Sequence, residues 1–426
     1  MKIGIILIAL ICCYTTAFSQ KSLQYYIEKA EQNSPLLQKQ QNNEKIIALD
    51  LKQFNAVYKS PKISLSGNVL FAPIISLDGN TKKIEWVSRE SSNYWGYDLG
   101  ATNGGQFQAL VSVNQPLFTN KYITTQQNKA SVLHEKNSNI TQLTKAELKQ
   151  AVTHQYILCV QSQKQKENIQ HVIEVLIEQL QQMQPLVRSG VYKLIDLKLL
   201  EIELENNQIE EKRLSGLFLD NFNALKLLCG INDSTLSSLE EVNILLNSPS
   251  QTTSLFASQF KLDSLLVKAE QENYKLKYLP QVGVFGDAGL NATYQPSFKR
   301  FGFSVGLSFT WDLFDGHQQK INDKKSIIQI ANIETDRKYF ENQNNIRKKN
   351  ILSQIANLDD QLLLIDKQLA AYNQLLKLYK VEIKEGLISI LELKTLIREI
   401  SVKQQIKTDT LMTKEILINS YNYWNL

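Results

Sequence analysis

Few side chains in this sequence are suited to metal binding or covalent catalysis. The four histidines, at positions 134, 154, 171 and 317, do not stand at ligand spacing from one another or from a cysteine. The sequence has no phosphate-binding loop of the Walker type, no dinucleotide-binding fingerprint and no nucleophile elbow. We therefore predict no catalytic centre, no metal site and no cofactor, and an enzyme is the function class that the sequence supports least.

The two cysteines beyond the first twenty residues are predicted to be unpaired. Cys159 falls in the apolar frame of a predicted helix, 31 residues before Gly190, and Cys229 lies 39 residues after that glycine. If the two cysteines lie on antiparallel helices that meet at this glycine, their positions along the helix axis differ by ~12 Å. A disulfide needs Cα atoms within ~7 Å. We predict two free, buried thiols.

The composition is that of a folded chain rich in helix. Of 426 residues, 43% are hydrophobic and 21% are charged, as in ordinary globular proteins. Only 17 glycines and 8 prolines interrupt the chain, which permits very long helices. The formal charge of +5 is spread without a basic block, so no nucleic-acid partner is predicted.

The beginning of the sequence has the pattern of a secretory signal peptide. One lysine precedes an apolar run over residues 3–13, and Ala17 and Ser19 fit the small-x-small rule of a cleavage site. Residues 1–19 are predicted to be a signal peptide, cut before Gln20. The alternatives are a membrane anchor, which needs ~20 apolar residues, and a lipoprotein modified at a cysteine of this run.

The second part of the sequence repeats the first. The tetrapeptide Lys-Ala-Glu-Gln occurs at residues 29–32 and again at 268–271. Two more pairs share one offset of 196 residues: 115–118 with 311–314, and 188–198 with 384–394. We predict a tandem duplication, with a first repeat over 20–229, an equatorial joining segment over 230–262 and a second repeat over 263–426.

Each repeat is predicted to contain two long helices. They cover residues 121–188 and 193–229 in the first repeat and 317–384 and 388–424 in the second. From Ile351 to Ile383, apolar residues step by four and three without a break, the heptad pattern of coiled-coil packing. A helix of 68 residues is ~100 Å long and needs neighbours along its whole length.

Four strands are predicted, over about 61–71, 106–115, 281–289 and 301–313. In the last, large apolar residues alternate with small polar ones, as in membrane-spanning strands of ~9–11 residues. A soluble sandwich is the alternative, but no second sheet is expected. The first hairpin has 23 surplus residues around 76–105, which we predict to be a long extracellular loop. The residues predicted to face lipid are Phe301, Phe303, Val305, Leu307, Phe309 and Trp311.

Four strands are too few to close a membrane barrel. Open sheet edges are not tolerated in lipid, and the smallest membrane barrels have ~8 strands. The strands of several chains must therefore form the barrel together, although this argument does not fix the number of subunits.

The order of these features resembles the TolC family of outer-membrane efflux proteins. The resemblance rests on the duplicated strand–strand–helix–helix plan, the Pro-Leu-Phe joint at residues 116–118 and the helix-tip motif that begins at Arg188. It implies a membrane α/β protein, a homotrimer whose twelve strands close one outer-membrane β-barrel. A long α-helical barrel of the coiled-coil type continues it across the periplasm of a Gram-negative type of cell.

The resemblance also implies partners and site residues at the turn between the long helices of each repeat. Asp196 and Glu392, each six residues after a glycine, match a periplasmic gate. Two positions depart from the family pattern: Ile388 stands where an arginine is frequent, and Thr395 stands where a second acid is frequent. The family's charge latch is therefore incomplete here. The residues that match the adaptor-docking tip are Gly190, Val191, Leu194, Ile195, Gly386, Leu387, Ile390 and Leu391.

The predicted function is a passive exit duct in the outer membrane. The partners are outer-membrane lipid, a periplasmic adaptor protein and an inner-membrane transporter, which together form a tripartite efflux system. The exit duct of a type I protein secretion system uses the same architecture and is an alternative. A periplasmic coiled-coil scaffold without a pore is another, but it would not need strands with a lipid-facing side.

Overall fold

The computed structural model describes residues 21–79, 82–85, 92–96, 105–233, 236–248, 254–293 and 298–426. The predicted signal peptide, residues 1–19, lies outside the described residues. The first half of the described chain contains α1 (Leu23–Asn33), α2 (Pro35–Lys59), β1 (Lys62–Phe71), β2 (Ile74–Ser76), β3 (Lys83–Glu85), β4 (Tyr94–Trp95), β5 (Gly105–Leu117), α3 (Asn120–Arg188) and α4 (Leu194–Cys229). The second half contains α5 (Leu255–Lys275), β6 (Gln281–Thr293), β7 (Phe301–Thr310), α6 (Gln318–Glu382) and α7 (Ile390–Trp424).

The strand boundaries differ from the expected ones in the second half. β6 extends to Thr293 rather than residue 289. β7 ends at Thr310 rather than residue 313, because its partner β6 begins at Gln281, directly after Pro280. Proline has no backbone N–H to continue the ladder. Residues 311–313 therefore belong to the connection that leads into α6.

The helix starts also differ, and side-chain caps explain two of them. α7 begins at Ile390 rather than residue 388, because the Ser389 hydroxyl accepts a hydrogen bond from the Glu392 amide at 3.3 Å. α6 begins after residue 317, where the Asp315 carboxylate accepts the amides of residues 318 and 319. α5 begins at Leu255, inside the segment 230–262 that was expected to join the repeats.

The main sheet has four antiparallel strands in the order β1-β5-β6-β7. β1 and β5 form a hairpin from the first half, and β6 and β7 form one from the second half. The central pair, β5 with β6, is in register from Gln106 opposite Thr293 to Leu117 opposite Val282. One continuous sheet therefore joins the two halves of the sequence.

A second, small sheet lies in the segment that was predicted to be a loop over 76–105. Its order is β3-β2-β4, and its strands have only two or three residues. The Asp78 carboxylate accepts hydrogen bonds from the amides of Ser92 and Asn93 and from the Ser92 hydroxyl. These bonds join Asp78, just after β2, to the residues just before β4. The expectation that the sequence contains no further sheet was therefore wrong.

The chain divides into two compact units. One unit, made of Met1–Gln40, Asn139–Gln259 and Asp336–Leu426, contains both turns between the long helices. The other, made of Gln41–Ser138 and Phe260–Thr335, contains both sheets. No helix in the described residues is both long and apolar enough to cross a membrane.

The helical unit has a core in which α1 packs against α3 and α4. Tyr26 of α1, Tyr156 of α3 and Phe222 of α4 are fully buried in one cluster. Cys159 and Cys229 lie in the same cluster and are free and buried, so this prediction is confirmed. Burial raises the pKa of each thiol to about 12.

The heptad seam of α6 is also confirmed. All ten seam positions from Ile351 to Ile383 are buried or half-buried, whereas intervening residues such as Leu363 and Leu364 are exposed. The packing of these long helices therefore follows the period of 3.5 residues that the sequence shows.

Candidate functional site

One face of the main sheet is apolar across all four strands. The register places Val69 opposite Phe107, Val111 opposite Ala288 and Ala288 opposite Phe303. The predicted lipid-facing residues of β7 all lie on this face and are exposed, up to 85% for Phe303. Their exposed side chains are Phe301, Phe303, Val305, Leu307 and Phe309. The face is well exposed on the outer strands β1 and β7 and half-buried on β6, and an exposed apolar patch of this extent marks an interaction with lipid or protein.

Trp311, the sixth predicted lipid-facing residue, lies just beyond the strand. Its indole Nε1 donates to the backbone oxygen of Tyr278 at 3.2 Å, and the side chain is about half exposed. The Tyr278 hydroxyl in turn donates to Asp315, which caps α6. An indole with one apolar side and one hydrogen-bonded end suits the boundary between lipid and water.

The opposite face of the sheet is polar and shallow. Its residues are mostly serine, asparagine, glutamine and glycine. Among the strand residues of the described sheet, Lys62 and Asp287 are the charged side chains of this face. The one aromatic ring, Phe285, reaches across to Gly306, where a Cβ atom would lie 2.4 Å from its Cζ atom. A side chain at position 306 would therefore displace the ring from the wall.

β1 and β7 are the edges of the four-stranded sheet. β1 is paired over Lys62–Phe71 on one side alone, and β7 is paired over Phe301–Thr310 on one side alone. Their outer N–H and C=O groups form two rows of unpaired donors and acceptors within the described sheet. Such edges template the addition of another strand.

The two turns between the long helices share one hydrogen-bonding pattern. In the first turn, the amide of Gly190 donates to the oxygen of residue 187, and that of Val191 donates to the oxygen of residue 186. In the second, Gly386 and Leu387 donate to the oxygens of residues 383 and 382. Both glycines have positive φ, 79° and 73°, which ends a helix at little steric cost only for glycine.

The two acids of the predicted gate cap the helices that follow these turns. The Asp196 carboxylate accepts the amide of Lys193 at 3.0 Å. The Glu392 carboxylate accepts the amide of Ser389 at 3.1 Å and its hydroxyl at 3.0 Å. A carboxylate at a helix N-terminus is stabilised by the unpaired amides and by the helix dipole. The structure thus gives both residues a capping position.

The apolar residues predicted to form the docking tip are exposed, with one exception. Ile390 is only 1% exposed and belongs to the core cluster under the turns, together with Ile383 and Ile388. It is the first residue of α7 and is buried there, so it packs beneath the turns, and its assignment to the docking tip stays a prediction. The exposed docking candidates are Val191, Leu194, Ile195, Leu387 and Leu391, and the two glycines lie beside them.

The sequence reasoning missed Tyr192, which joins the two turns. Its hydroxyl lies 3.1 Å from the oxygen of Ile383 and 2.9 Å from that of Ile388, both in the second turn. The turns also touch at Gly386, where an added Cβ would lie 2.8 Å from Val191 Cγ1. The sequence did contain a hint of this role, because the two repeats differ at this position. The residue that matches Tyr192, 196 positions later, is Ile388, which is buried.

A salt bridge lies farther from the turns, between α3 and α6. Lys380 Nζ donates to Glu178 Oε2 at 2.7 Å. This hydrogen bond, together with the charges of Lys380 and Lys384, lowers the pKa of Glu178. Thr395 donates its hydroxyl to the backbone oxygen of Leu391 at 2.7 Å. The described residues contain no group of His, Cys, Asp and Glu that could hold a metal ion.

Solved structures of outer-membrane channels share this fold. The outer membrane protein VceC from Vibrio cholerae has a TM-score of 0.67 and 11% identity, covering 95% of this chain and 96% of its own. The Campylobacter jejuni channel CmeC has a TM-score of 0.68 and 12% identity, covering 96% of this chain and 86% of its own. The Neisseria gonorrhoeae channel MtrE has a TM-score of 0.67 and 13% identity, covering 95% of this chain and 88% of its own.

Neither a protein-family model nor a curated protein sequence matches the chain. At this level of identity the structural likeness shows the fold alone. The resemblance inferred from the sequence is thereby confirmed for the fold of the chain.

Proposed function

We propose that this protein is the passive outer-membrane exit duct of a tripartite efflux system. The observation that carries the proposal is the main sheet, which has one exposed apolar face and one polar face. Transfer of a large apolar side chain out of water is worth ~1.5–3 kcal/mol. The five exposed side chains of β7 alone therefore favour a lipid environment by on the order of 10 kcal/mol.

Closure of the sheet requires other copies of the chain. In lipid the free edges of β1 and β7 must be paired, and the edge of β1 in one copy can pair with that of β7 in the next. The TolC resemblance implies three copies, whose twelve strands enclose a pore lined by the polar faces. The protein would then sit in the outer membrane of a Gram-negative type of cell, with its long helices in the periplasm.

The helical turns are the proposed docking end. Exposed apolar side chains on both turns, such as Leu194 and Leu387, offer a surface for a periplasmic adaptor protein and, through it, an inner-membrane transporter. Asp196 and Glu392 lie in the first turn of the helices that follow these connections, so threefold repetition would concentrate their charge at this mouth. Like charges at close range repel one another and attract cations.

The alternatives are separable from this proposal. A periplasmic scaffold without a pore would leave the apolar face of the main sheet without an occupant, which disfavours it. A duct for protein secretion would have the same sheet and the same helices. Reconstitution with a periplasmic adaptor and an inner-membrane transporter, tested once with small-molecule cargo and once with protein cargo, would separate small-molecule efflux from protein secretion.

The central test is the behaviour of the purified mature protein. We expect it to require detergent, to form trimers in mild detergent and to produce stable conducting channels in a planar bilayer. A monomer that dissolves without detergent and gives no conductance would refute the proposal. The variant Phe303→Asp places a charge on the lipid-facing side and should reduce membrane insertion, whereas Ser304→Asp on the polar face should insert normally.

The gate has its own test. Glu392→Gln removes the charge and keeps an oxygen that can accept the Ser389 hydrogen bonds, so the helix start should be preserved. We expect a changed single-channel conductance or cation preference in a planar bilayer. If neither changes, Glu392 has no part in the gate, whereas the proposal of a duct remains intact.

A further inference from the structure

We propose that Asp287 sets the charge preference of the duct inside the β-sheet region, where three copies of its carboxylate form a ring on the pore wall. This inference rests on the proposed function, because it requires that the polar face of the sheet line a pore. It concerns a part of the chain remote in sequence from the acids of the helical turns. The ring would favour cationic solutes over anionic ones.

The strand register places Asp287 in a row of serines. It lies opposite Ser112 of β5 on one side and opposite Ser304 of β7 on the other, and Ser112 lies opposite Ser64 of β1. The row therefore crosses all four strands with three hydroxyl side chains and one carboxylate. The Ser304 hydroxyl donates to Asp287 Oδ2 at 3.4 Å, which holds the carboxylate against the wall.

The rows beyond this one, toward the other end of the sheet, carry no charge. The next row contains Ser66, Leu110, Gly289 and Gly302. In the row after it, Asn291 accepts weak hydrogen bonds from the side-chain amides of Gln106 and Gln108, both at 3.4 Å. An amide and hydroxyl wall interacts about equally with cations and anions. Asp287 is therefore the residue on it that distinguishes them.

Lys62 is the other charged residue of this face, and it is too far away to neutralise Asp287. It lies in the preceding row, opposite Asn114, which in turn lies opposite Phe285. The backbone positions of Lys62 and Asp287 are two strand spacings apart across the sheet and two residues apart along the strand, which together is roughly 12 Å. This exceeds the screening length of ~8–10 Å at physiological salt. Two separate rings of opposite charge, not ion pairs, would thus line the wall.

The neighbouring side chains leave the carboxylate open to the pore. Phe285, two residues before Asp287 on the same face, reaches sideways over Gly306 and lies along the wall. Gly289 and Gly302 flank the other side without side chains. Because the neighbouring side chains do not cover it, the carboxylate can attract cations and repel anions that pass through the pore.

The experiment measures the reversal potential of single channels in a planar bilayer under a KCl gradient. Asp287→Asn should lower the ratio of K⁺ to Cl⁻ permeability about threefold to seventyfold, because three carboxylates roughly 10 Å from an ion attract K⁺ and repel Cl⁻ by similar energies, the lower figure with screening and the upper without. Lys62→Gln should shift the ratio in the opposite direction. Asp287→Glu retains the charge, and Ser304→Ala removes only the hydrogen bond, so both should keep the wild-type ratio.

The outcomes separate the two proposals. If the Asp287→Asn channel conducts with the wild-type permeability ratio, the inference about Asp287 is overturned and the duct stands. If the wild-type protein gives no conductance, the proposed function fails and this inference fails with it. If Asp287→Asn does not insert, Asp287→Ser, which extends the row of serines, serves as the second neutral variant and must show the same shift.

Discussion

Tyr192 allows a direct test of how the two turns are held together. Its ring packs on the cluster under the turns, and its single hydroxyl proton is shared between the backbone oxygens of Ile383 and Ile388. Burial, and secondarily the Asp196 carboxylate, raise the pKa of Tyr192, so the hydroxyl stays protonated at neutral pH. Tyr192→Phe removes the donor and keeps the ring.

We expect Tyr192→Phe to lower the stability of the second turn and not that of the whole protein. A hydrogen bond between neutral groups contributes about 0.5–1.5 kcal/mol, and a carbonyl left unpaired costs about 1–3 kcal/mol when buried. Because these groups are only partly buried, water can reach the freed carbonyls. We expect the free energy of opening the second turn to fall by about 1–2 kcal/mol, which corresponds to amide exchange about five- to thirtyfold faster.

Hydrogen–deuterium exchange measured by mass spectrometry is the suitable assay. Peptides that contain the amides of Gly386 and Leu387 should exchange about five- to thirtyfold faster in Tyr192→Phe. The matched control is Tyr379→Phe, whose ring packs on the same cluster but for which no hydroxyl hydrogen bond is seen within the described residues. If both variants exchange alike, packing alone holds the turns together and the reasoning about the shared proton is refuted.

Three further predictions concern the helical unit. Gln179 is fully buried, and its side-chain amide has no hydrogen-bond partner in the described residues; Gln179→Leu should therefore stabilise the protein by about 1–3 kcal/mol, and an unchanged or lower melting temperature would contradict this. Cys159 and Cys229 should resist maleimide at pH 8 in the native protein and react after denaturation, because pKa values of about 12 leave almost no thiolate; rapid labelling of the native protein would show that the cluster opens. Gly386→Ala should destabilise its turn more than Gly190→Ala, since both have positive φ but only the former brings a Cβ against the other turn; equal losses of thermal stability would show that the contact between the turns is unimportant.

The periodic elements could be predicted from the sequence because one physical rule decides each of them. The seam from Ile351 to Ile383 follows from a spacing of four and three residues. The face of β7 follows from alternation, since side chains two residues apart share one side of a strand. Both rules act within a single element and need no knowledge of its neighbours.

The features that the sequence did not reveal depend on contacts between elements. Ile390 and Leu391 are both apolar and adjacent, and only the direction of α7 decides that the first is buried and the second exposed. Tyr192 reaches residues 191 and 196 positions away, which no local pattern encodes. The small sheet depends on Asp78 accepting hydrogen bonds from residues 92 and 93, across a segment with no clear period.

The pairing of β5 with β6 has a consequence for how the chain acquires its structure. Paired residues of these two strands are 165 to 187 positions apart, for example 177 for Val111 opposite Ala288, so the central ladder cannot begin to form until most of the polypeptide has been made. The helical hairpins, whose contacts are closer in sequence, can assemble earlier, because nearby contacts close at a lower entropic cost. The apolar hairpin of β1 and β5 can form early, but the β5 edge must then wait for β6, and a chaperone that shields this edge would protect the unfinished chain from aggregation.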